Sequence, residues 1–396
     1  MINKLEKQEI LERIESLYNA LNRKSNNWGA LFIVDKVNQY YFTGTMQNGI
    51  FILKNDGAYL YFVRNSYERA KAESPLENIY PMNGYGEAAN IVGADIPDLY
   101  IETEVMTYAM LERIKKYFKI ENVMPADRII LNIKAIKSPY ELSCIEESGR
   151  QHKYLFENII PGMLKEGINE AGFTASMYEK MVKLGYHGVS RFSMFQTETI
   201  LGQVGFGENS LYPTNFDGPG GMRGMCPAVP IIGDRNRLLK KGDLVFVDVG
   251  YGINGYHTDR TQIYMFGKNL PKDVEKVHRQ CLKIQNKMAS LLNPGNIPAE
   301  IYNTIIDGLD SEFLENFMGF GNRKAKFLGH GVGLHIDEYP VISNGFNEPL
   351  KENMVIAIEP KKGIANIGMV GVEDTYIVTK DGGRCITGGE KDIIVV

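Results

Sequence analysis

Cysteine is scarce: four in 396 residues, at Cys144, Cys226, Cys281 and Cys385, with no CxxC pair. That spacing excludes a zinc knuckle and a dithiol redox motif, and reads as reduced thiols rather than a disulfide framework. Long apolar runs are also missing, so no membrane-spanning helix is expected. The opening stretch MINKLEKQEILERIESLYNAL lacks the unbroken apolar core of a signal peptide, and a cytoplasmic protein without a membrane partner is expected. Neither charge sign dominates, with 44 basic against 48 acidic residues and a net charge of −4. A nucleic-acid partner, which would call for a basic excess, is not expected. There is no GxxxxGK[ST] and no HExxH, and Gly205-Phe-Gly207 is a lone GxG that reads as a turn.

What remains is an ordinary globular composition, 44% apolar and 23% charged, in a chain long enough for two or three domains. Ile10, Ile14, Leu17, Tyr18 and Leu21 mark one face of an amphipathic helix. Strand-like runs follow at Ala30–Val34, Gln39–Phe42, Ile50–Leu53 and Tyr59–Val63, with a hairpin turn at Asn55-Asp56-Gly57. Trp28, at the start of the first strand, reads as core. Helices near 66–72 and 105–117 alternate with a strand at Leu99–Glu102, closing a small α/β unit over residues 1–134. Ser138-Pro139-Tyr140-Glu141 is a capped helix start and opens a second unit, 135–396. There two helices, a loop-rich stretch and strands at Leu244–Val249 and Thr261–Phe266 are followed by the same order again. The second set has helices at Asp273–Leu292 and Ala299–Glu315 and strands at Met354–Ile358 and Met369–Val378. Two similar halves about a shared centre are expected.

Acidic residues on apolar strands are the anomaly that points to chemistry. Asp248 lies within Leu244-Val-Phe-Val-Asp-Val-Gly250, and Asp259 follows eleven residues later in Gly255-Tyr-His-Thr-Asp-Arg-Thr261. Glu359 ends Met354-Val-Ile-Ala-Ile-Glu-Pro360, and Glu373 lies in Met369-Val-Gly-Val-Glu-Asp-Thr375. His330 is embedded in Gly329-His-Gly-Val-Gly333, where glycine lets the backbone approach another group. Taken singly, each could be a salt-bridge partner, a cap or an edge charge. Together, four carboxylates and an imidazole on inner strands would repel without cations. Two divalent ions would balance them, and the oxygen-rich set favours Mn²⁺, with Fe²⁺, Co²⁺ or Zn²⁺ as alternatives. An ion pair of that kind can hold a hydroxide nucleophile and polarise a carbonyl.

These motifs resemble the M24 metallopeptidase superfamily, the pita-bread proteins that include methionine aminopeptidase, Xaa-Pro aminopeptidase, prolidase and the metal-free creatinase. Tyr41-Phe-Thr-Gly44 and Ile136-Lys137-Ser138 look like the creatinase-type N-terminal domain and entry helix of the Xaa-Pro branch. The resemblance implies a pita-bread catalytic domain with pseudo-twofold halves behind a smaller creatinase-like α/β domain. It implies a homodimeric dinuclear-metal hydrolase whose bridging hydroxide attacks a peptide or amide carbonyl. Asp248 would bind one ion, His330 and Glu359 the other, and Asp259 and Glu373 both, with Glu359 also accepting a proton. The departures are equally specific. The position seven after the ligand histidine is Asp337 rather than histidine, with His335 two residues earlier as a substitute. No histidine lies between His187 and His257; the 212–227 stretch offers Asp217 and Arg223 instead. Arginines expected three after the second Asp and two before the last Glu are Gln262 and Gly371, with Arg260 displaced. Tyr256 and His257, beside Asp259, are candidates for contact with substrate or ligands. His152, His187 and His278 read as ordinary surface or helix residues. An altered substrate is therefore a second reading: a non-peptidase relative acting on a small amide, amidine or sulfonium compound, with Asp337 as acid/base. A third is an inactive binding protein on the same fold.

Overall fold

The computed structural model describes residues 5–194, 197, 199–216, 218–389 and 391–396. Two compact units divide after Lys134, the second running Ala135–Val396. Among the described residues no helix is long and apolar enough to cross a membrane. All four cysteines are free.

The first unit is built on strands β1 (Trp28–Ile33), β2 (Gly49–Lys54), β3 (Tyr59–Val63), β4 (Ile79–Pro81), β5 (Asp95–Ile101) and β6 (Lys119–Pro125). They form one sheet of order β4-β3-β2-β1-β5-β6. The central strands are apolar on both faces: Phe32, Ile52, Phe62 and Leu99 share one core with Ala88, Val92 and Ile114, and Leu31, Phe51 and Tyr61 are buried on the other face. The helix Lys7–Lys24 buries Ile10, Ile14, Leu17 and Leu21, the stripe its spacing predicts. Gln39–Phe42, expected as a strand, is instead part of a helix, Lys36–Thr43. Its ends decide this: the Asp35 carboxylate accepts from the Asn38 N–H, and Gly44 closes the helix at φ 77°. An apolar run this short carries no periodicity able to separate helix from strand.

In the second unit, Ser138 and Glu141 form the expected capping box of helix Pro139–Tyr154. Strands β7 (Gly202–Phe206), β8 (Leu244–Ile253) and β9 (Tyr256–Met265) follow the helix Glu170–Lys183. After helices Lys272–Ser290 and Pro298–Ile306 come the two-residue strands β10 (Gly319–Phe320) and β11 (Arg323–Lys324). The remaining strands are β12 (Phe327–Gly331), β13 (Glu338–Ser343), β14 (Val355–Ile358), β15 (Lys361–Ile364), β16 (Gly368–Gly371), β17 (Asp374–Thr379), β18 (Gly382–Cys385) and β19 (Ile394–Val395). The single helix expected over 299–315 ends at Ile306, and a short turn of helix restarts at Ser311 under an Asp310 cap. The strand expected over 369–378 is broken at Val372-Glu373, between β16 and β17.

Two sheets make the centre of this unit, β19-β9-β8-β7 and β13-β12-β14-β17-β18. On β8, Val245, Val247 and Val249 join Phe156, Phe173 and Tyr264 in one core. Leu244 and Phe246, on the opposite face, belong to another. Strand alternation therefore puts Asp248 on the face of Phe246. The sheets meet at Thr375, whose Oγ1 accepts from the Asp259 N–H at 2.8 Å and donates to the Asp259 carbonyl at 2.9 Å. A Thr261–Glu373 bridge lies beside it.

Two buried polar devices brace this arrangement. The Glu170 carboxylate accepts from the N–H groups of Phe206 (2.7 Å) and Asp234 (2.9 Å) and from Asn209 Nδ2 (3.2 Å). The second device is an imidazole pair. His257 Nδ1 donates to the Gly333 carbonyl at 3.0 Å, and its Nε2 stands 3.2 Å from His187 Nε2. His187 Nδ1 accepts from the Gly255 N–H, so His187 Nε2 carries the proton and donates it to the Val189 carbonyl at 2.7 Å, while His257 Nε2 accepts from the Arg191 N–H at 3.4 Å. A proton added to His187 Nδ1 would face the Gly255 N–H, and one added to His257 Nε2 would face the Arg191 N–H. His152, also expected to be ordinary, is completely buried, with Nδ1 3.1 Å from Thr258 Oγ1.

Glu170→Ala should strip three donors at once and destabilise the second unit by about 2–4 kcal/mol, read as a lower urea midpoint. Burial depresses the His257 imidazole to about 3 and that of His187 to about 4. Both folded values lie below the unfolded 6.5, so the stability they contribute is present above pH 6.5 and lost as pH falls toward 4–3. His257→Gln should flatten the slope of stability against pH between 6.5 and 4 relative to the wild type, measured by urea titration.

Candidate metal centre

Asp248 and Asp259 face the centre from the β8–β9 hairpin, where Asp248 pairs with Thr261 and Gly250 with Asp259. The other three candidates come from the second sheet. His330 lies on β12, Glu359 directly follows β14, and Glu373 directly precedes β17. Close strand approach at His330 depends on its flanking glycines. A Cβ on Gly329 would lie 2.3 Å from the Ala357 carbonyl oxygen, and one on Gly331 2.4 Å from that of Tyr339. The backbone approach inferred from the glycine spacing is thus explained by β-pairing on both sides of His330.

The five side chains come together. His330 Nδ1 is 3.1 Å from the Gly331 carbonyl, which assigns the proton to Nδ1 and leaves the Nε2 lone pair for a ligand. That Nε2 stands 3.6 Å from Glu359 Oε1, 3.8 Å from Glu373 Oε1 and 3.9 Å from Asp259 Oδ2. Ligand atoms around a tetrahedral ion at 2.0–2.1 Å would be about 3.4 Å apart, so the spacing suits one cation. Glu373 Oε1 is buried without a hydrogen-bond partner, which an ion would supply. Asp259, His330 and Glu373 offer ligand atoms all within 4.8 Å of one another.

The other oxygens of the same glutamates face a residue that sequence reasoning missed. Lys361 Nζ donates to Glu373 Oε2 at 2.7 Å, to Glu359 Oε2 at 2.8 Å and to Asp248 Oδ2 at 3.0 Å. Its side chain is 0% exposed. The signal was present: Lys361 follows Glu359 by two residues, and in extended chain an offset of two returns to the same face. Glu373 Oε2 also accepts from Thr261 Oγ1 at 2.9 Å. The pocket therefore has two sides, one closed by an ammonium and one lined by Asp259, His330, Glu359 and Glu373.

Charge in the pocket is unbalanced. Burial lifts the Asp248 carboxyl to about 7, Lys361 pulling it down and Glu373 pushing it up. Asp259 is raised well above the usual range by burial and by Glu373 and Asp248. Burial opposes the charge on Lys361, but Asp248, Glu359 and Glu373 together outweigh it and hold the ammonium firmly protonated. Four carboxylates around one ammonium leave an electrostatic demand for further positive charge.

The remaining candidates have other partners in the protein as well. Asp337 accepts from the Ser193 N–H at 2.7 Å and from Ser193 Oγ at 3.0 Å, and burial raises its carboxyl. His335 Nδ1 lies 3.8 Å from Glu338, itself 3.3 Å from Lys137. Tyr256 is buried, its ring edge-on to Tyr140. His257 anchors Gly333, three residues beyond His330, and so positions the His330 segment. Arg260 points to the far face of β9, toward Glu157 and Asp374. Arg223 donates to Asn209 and stacks over Tyr212. Gly371, where an arginine was expected, has no room for a side chain: a Cβ would lie 2.4 Å from the Pro360 carbonyl oxygen and 2.6 Å from Lys361 Cα. Asp217 lies outside the described residues.

Comparison with known proteins places this geometry. The model of metallopeptidase family M24 matches residues 143–380. That of the creatinase/prolidase N-terminal domain matches residues 13–136. The Xaa-Pro dipeptidase of Pyrococcus furiosus is 28% identical over 97% of this chain and 99% of its own length. The putative dipeptidase YkvY of Bacillus subtilis is 27% identical over 93% and 95%. Among solved structures, the prolidase from Pyrococcus furiosus aligns with a TM-score of 0.74 at 26% identity, covering 94% of this chain and 99% of that one. Dipeptidase PepE from Mycobacterium ulcerans aligns over 100% of both chains with a TM-score of 0.80 at 19% identity, a likeness of fold alone. The mixed α/β architecture expected from the motifs is the one observed, and the chain belongs to the M24 metallopeptidases, hydrolases of the pita-bread fold, in the branch that carries a creatinase-like N-terminal domain.

Proposed function

We propose that the chain is a metal-dependent hydrolase of small peptides of the Xaa-Pro type. The observation that carries this is the convergence of Asp259, His330, Glu359 and Glu373 on one space, with Glu373 Oε1 buried and unsatisfied toward it. The relatives named Xaa-Pro dipeptidase, matched over nearly the whole chain, support the substrate class. A divalent ion bound there, Mn²⁺ by the oxygen-rich donor set, would supply a Lewis acid and a water acidified toward neutral pH. The protein's own part is positional and protonic. Glu359 has one oxygen held by Lys361 and the other turned to the open side, where it is placed to take a proton from the attacking water. His330 is fixed as ligand by its Nδ1 contact with the Gly331 carbonyl. All four groups sit on or beside sheet strands, which holds them rigidly. By the family resemblance the working unit is a homodimer.

One observation favours a second reading. Asp337, seven residues after His330, brings a carboxylate held by Ser193 in place of an imidazole, and His335 lies beside Glu338. Imidazoles that would stabilise a tetrahedral intermediate are worth several kcal/mol, so a peptide carbonyl is a less natural substrate without them. A small amide, amidine or sulfonium compound is the alternative.

With Mn²⁺ added, the purified protein should cleave Xaa-Pro dipeptides, and a chelator should abolish the activity. His330→Ala and Asp259→Asn should each lower kcat/KM by about 10³ or more while thermal unfolding stays cooperative. A metal-loaded protein inert on a broad Xaa-Pro panel would shift the assignment to the non-peptidase reading. Sedimentation equilibrium should give twice the chain mass.

A further inference from the structure

We infer that Lys361 is a built-in cation that takes the place of one of the two metal ions its four carboxylates would otherwise bind, leaving a pocket for a single ion. The inference depends on the proposed function only for the ion on the open side.

The geometry is that of a replaced ion. Lys361 Nζ is an ammonium with three protons, and it has three acceptors at 2.7–3.0 Å, one each from Asp248, Glu359 and Glu373. An ion bound by Asp248 would need those same oxygens at about 2.0–2.2 Å, in the space Nζ now fills. The two glutamates divide their oxygens: both Oε2 atoms face Lys361 and both Oε1 atoms face His330. In a two-ion centre that division would run between the ions. Asp248, the ligand expected to serve one ion alone, here serves the ammonium.

The surroundings accommodate this side chain. Lys361 is completely buried, and its Nζ lies 6.0 Å from the centre of the Phe246 ring. Beside it, Gly371 pairs with Lys361 across β15 and β16, too close for any side chain. The chemical consequence is definite. An ammonium neutralises and orients carboxylates but has no empty orbital for a carbonyl or water oxygen. It can donate hydrogen bonds and no Lewis acidity, so the reaction has one ion to work with.

The test is metal stoichiometry, which needs no substrate. Wild-type protein and Lys361→Ala are saturated with Mn²⁺, freed of excess, and compared by native mass spectrometry and electron paramagnetic resonance. The expected result is one ion per chain with a mononuclear signal for the wild type, and two ions with an exchange-coupled signal for Lys361→Ala. Two ions in the wild type would overturn the inference, as would no gain in the variant. No ion in the wild type but one in Lys361→Ala would support the lysine's role while sinking the metal-dependent function proposed above. Lys361→Ser serves the same purpose if the alanine variant does not fold, and the wild-type count stands by itself.

Discussion

Four carboxylates within reach of one another, three buried and that of Asp248 nearly so, are the constraint around which the second unit is organised. Left alone they would protonate or force the sheets apart, because desolvation and mutual repulsion act in the same direction. The raised carboxyls of Asp248 and Asp259 show how far one ammonium falls short of relieving this. Much else in the unit can be understood as support for those charges. Thr375 clasps Asp259 by its backbone, Thr261 donates to Glu373, and Lys361 ties three of the four carboxylates together.

The two sheets supply complementary parts. The β8–β9 hairpin brings two aspartates, while β12, β14 and β17 bring the histidine and two glutamates at strand ends, where backbone direction changes and side chains can turn inward. Neither sheet alone has a ligand set. Thr375 and the Thr261–Glu373 bridge tie the two sheets together beside the centre.

Much of this was legible in the residues. Apolar strands carrying a lone acid advertise buried charge, and a histidine between glycines advertises close packing; those two signals located all five converging side chains. The helix Pro139–Tyr154 was legible because its cap is written in four consecutive residues. What escaped was whatever depends on partners distant in sequence. Gln39–Phe42 became helix because of Asp35 and Gly44 at its ends and Gln39's buried contacts, not because of its own composition. His187 and His152 read as ordinary because only the folded chain shows what surrounds them. Lys361 was overlooked for a different reason: a lysine next to a second lysine suggests solvent, and only strand geometry separates the buried Lys361 from Lys362, whose ammonium reaches the carbonyls of Glu312 and Phe313.

The contact between Gly371 and Lys361 limits what position 371 can hold. A Cβ at 371 would lie 2.4 Å from the Pro360 carbonyl oxygen and 2.6 Å from Lys361 Cα, both backbone atoms, so this strand pairing admits only glycine there. A bulkier residue at 371 would push aside the strand that carries the ammonium, and the reach of Lys361 to three carboxylates would be disturbed with it.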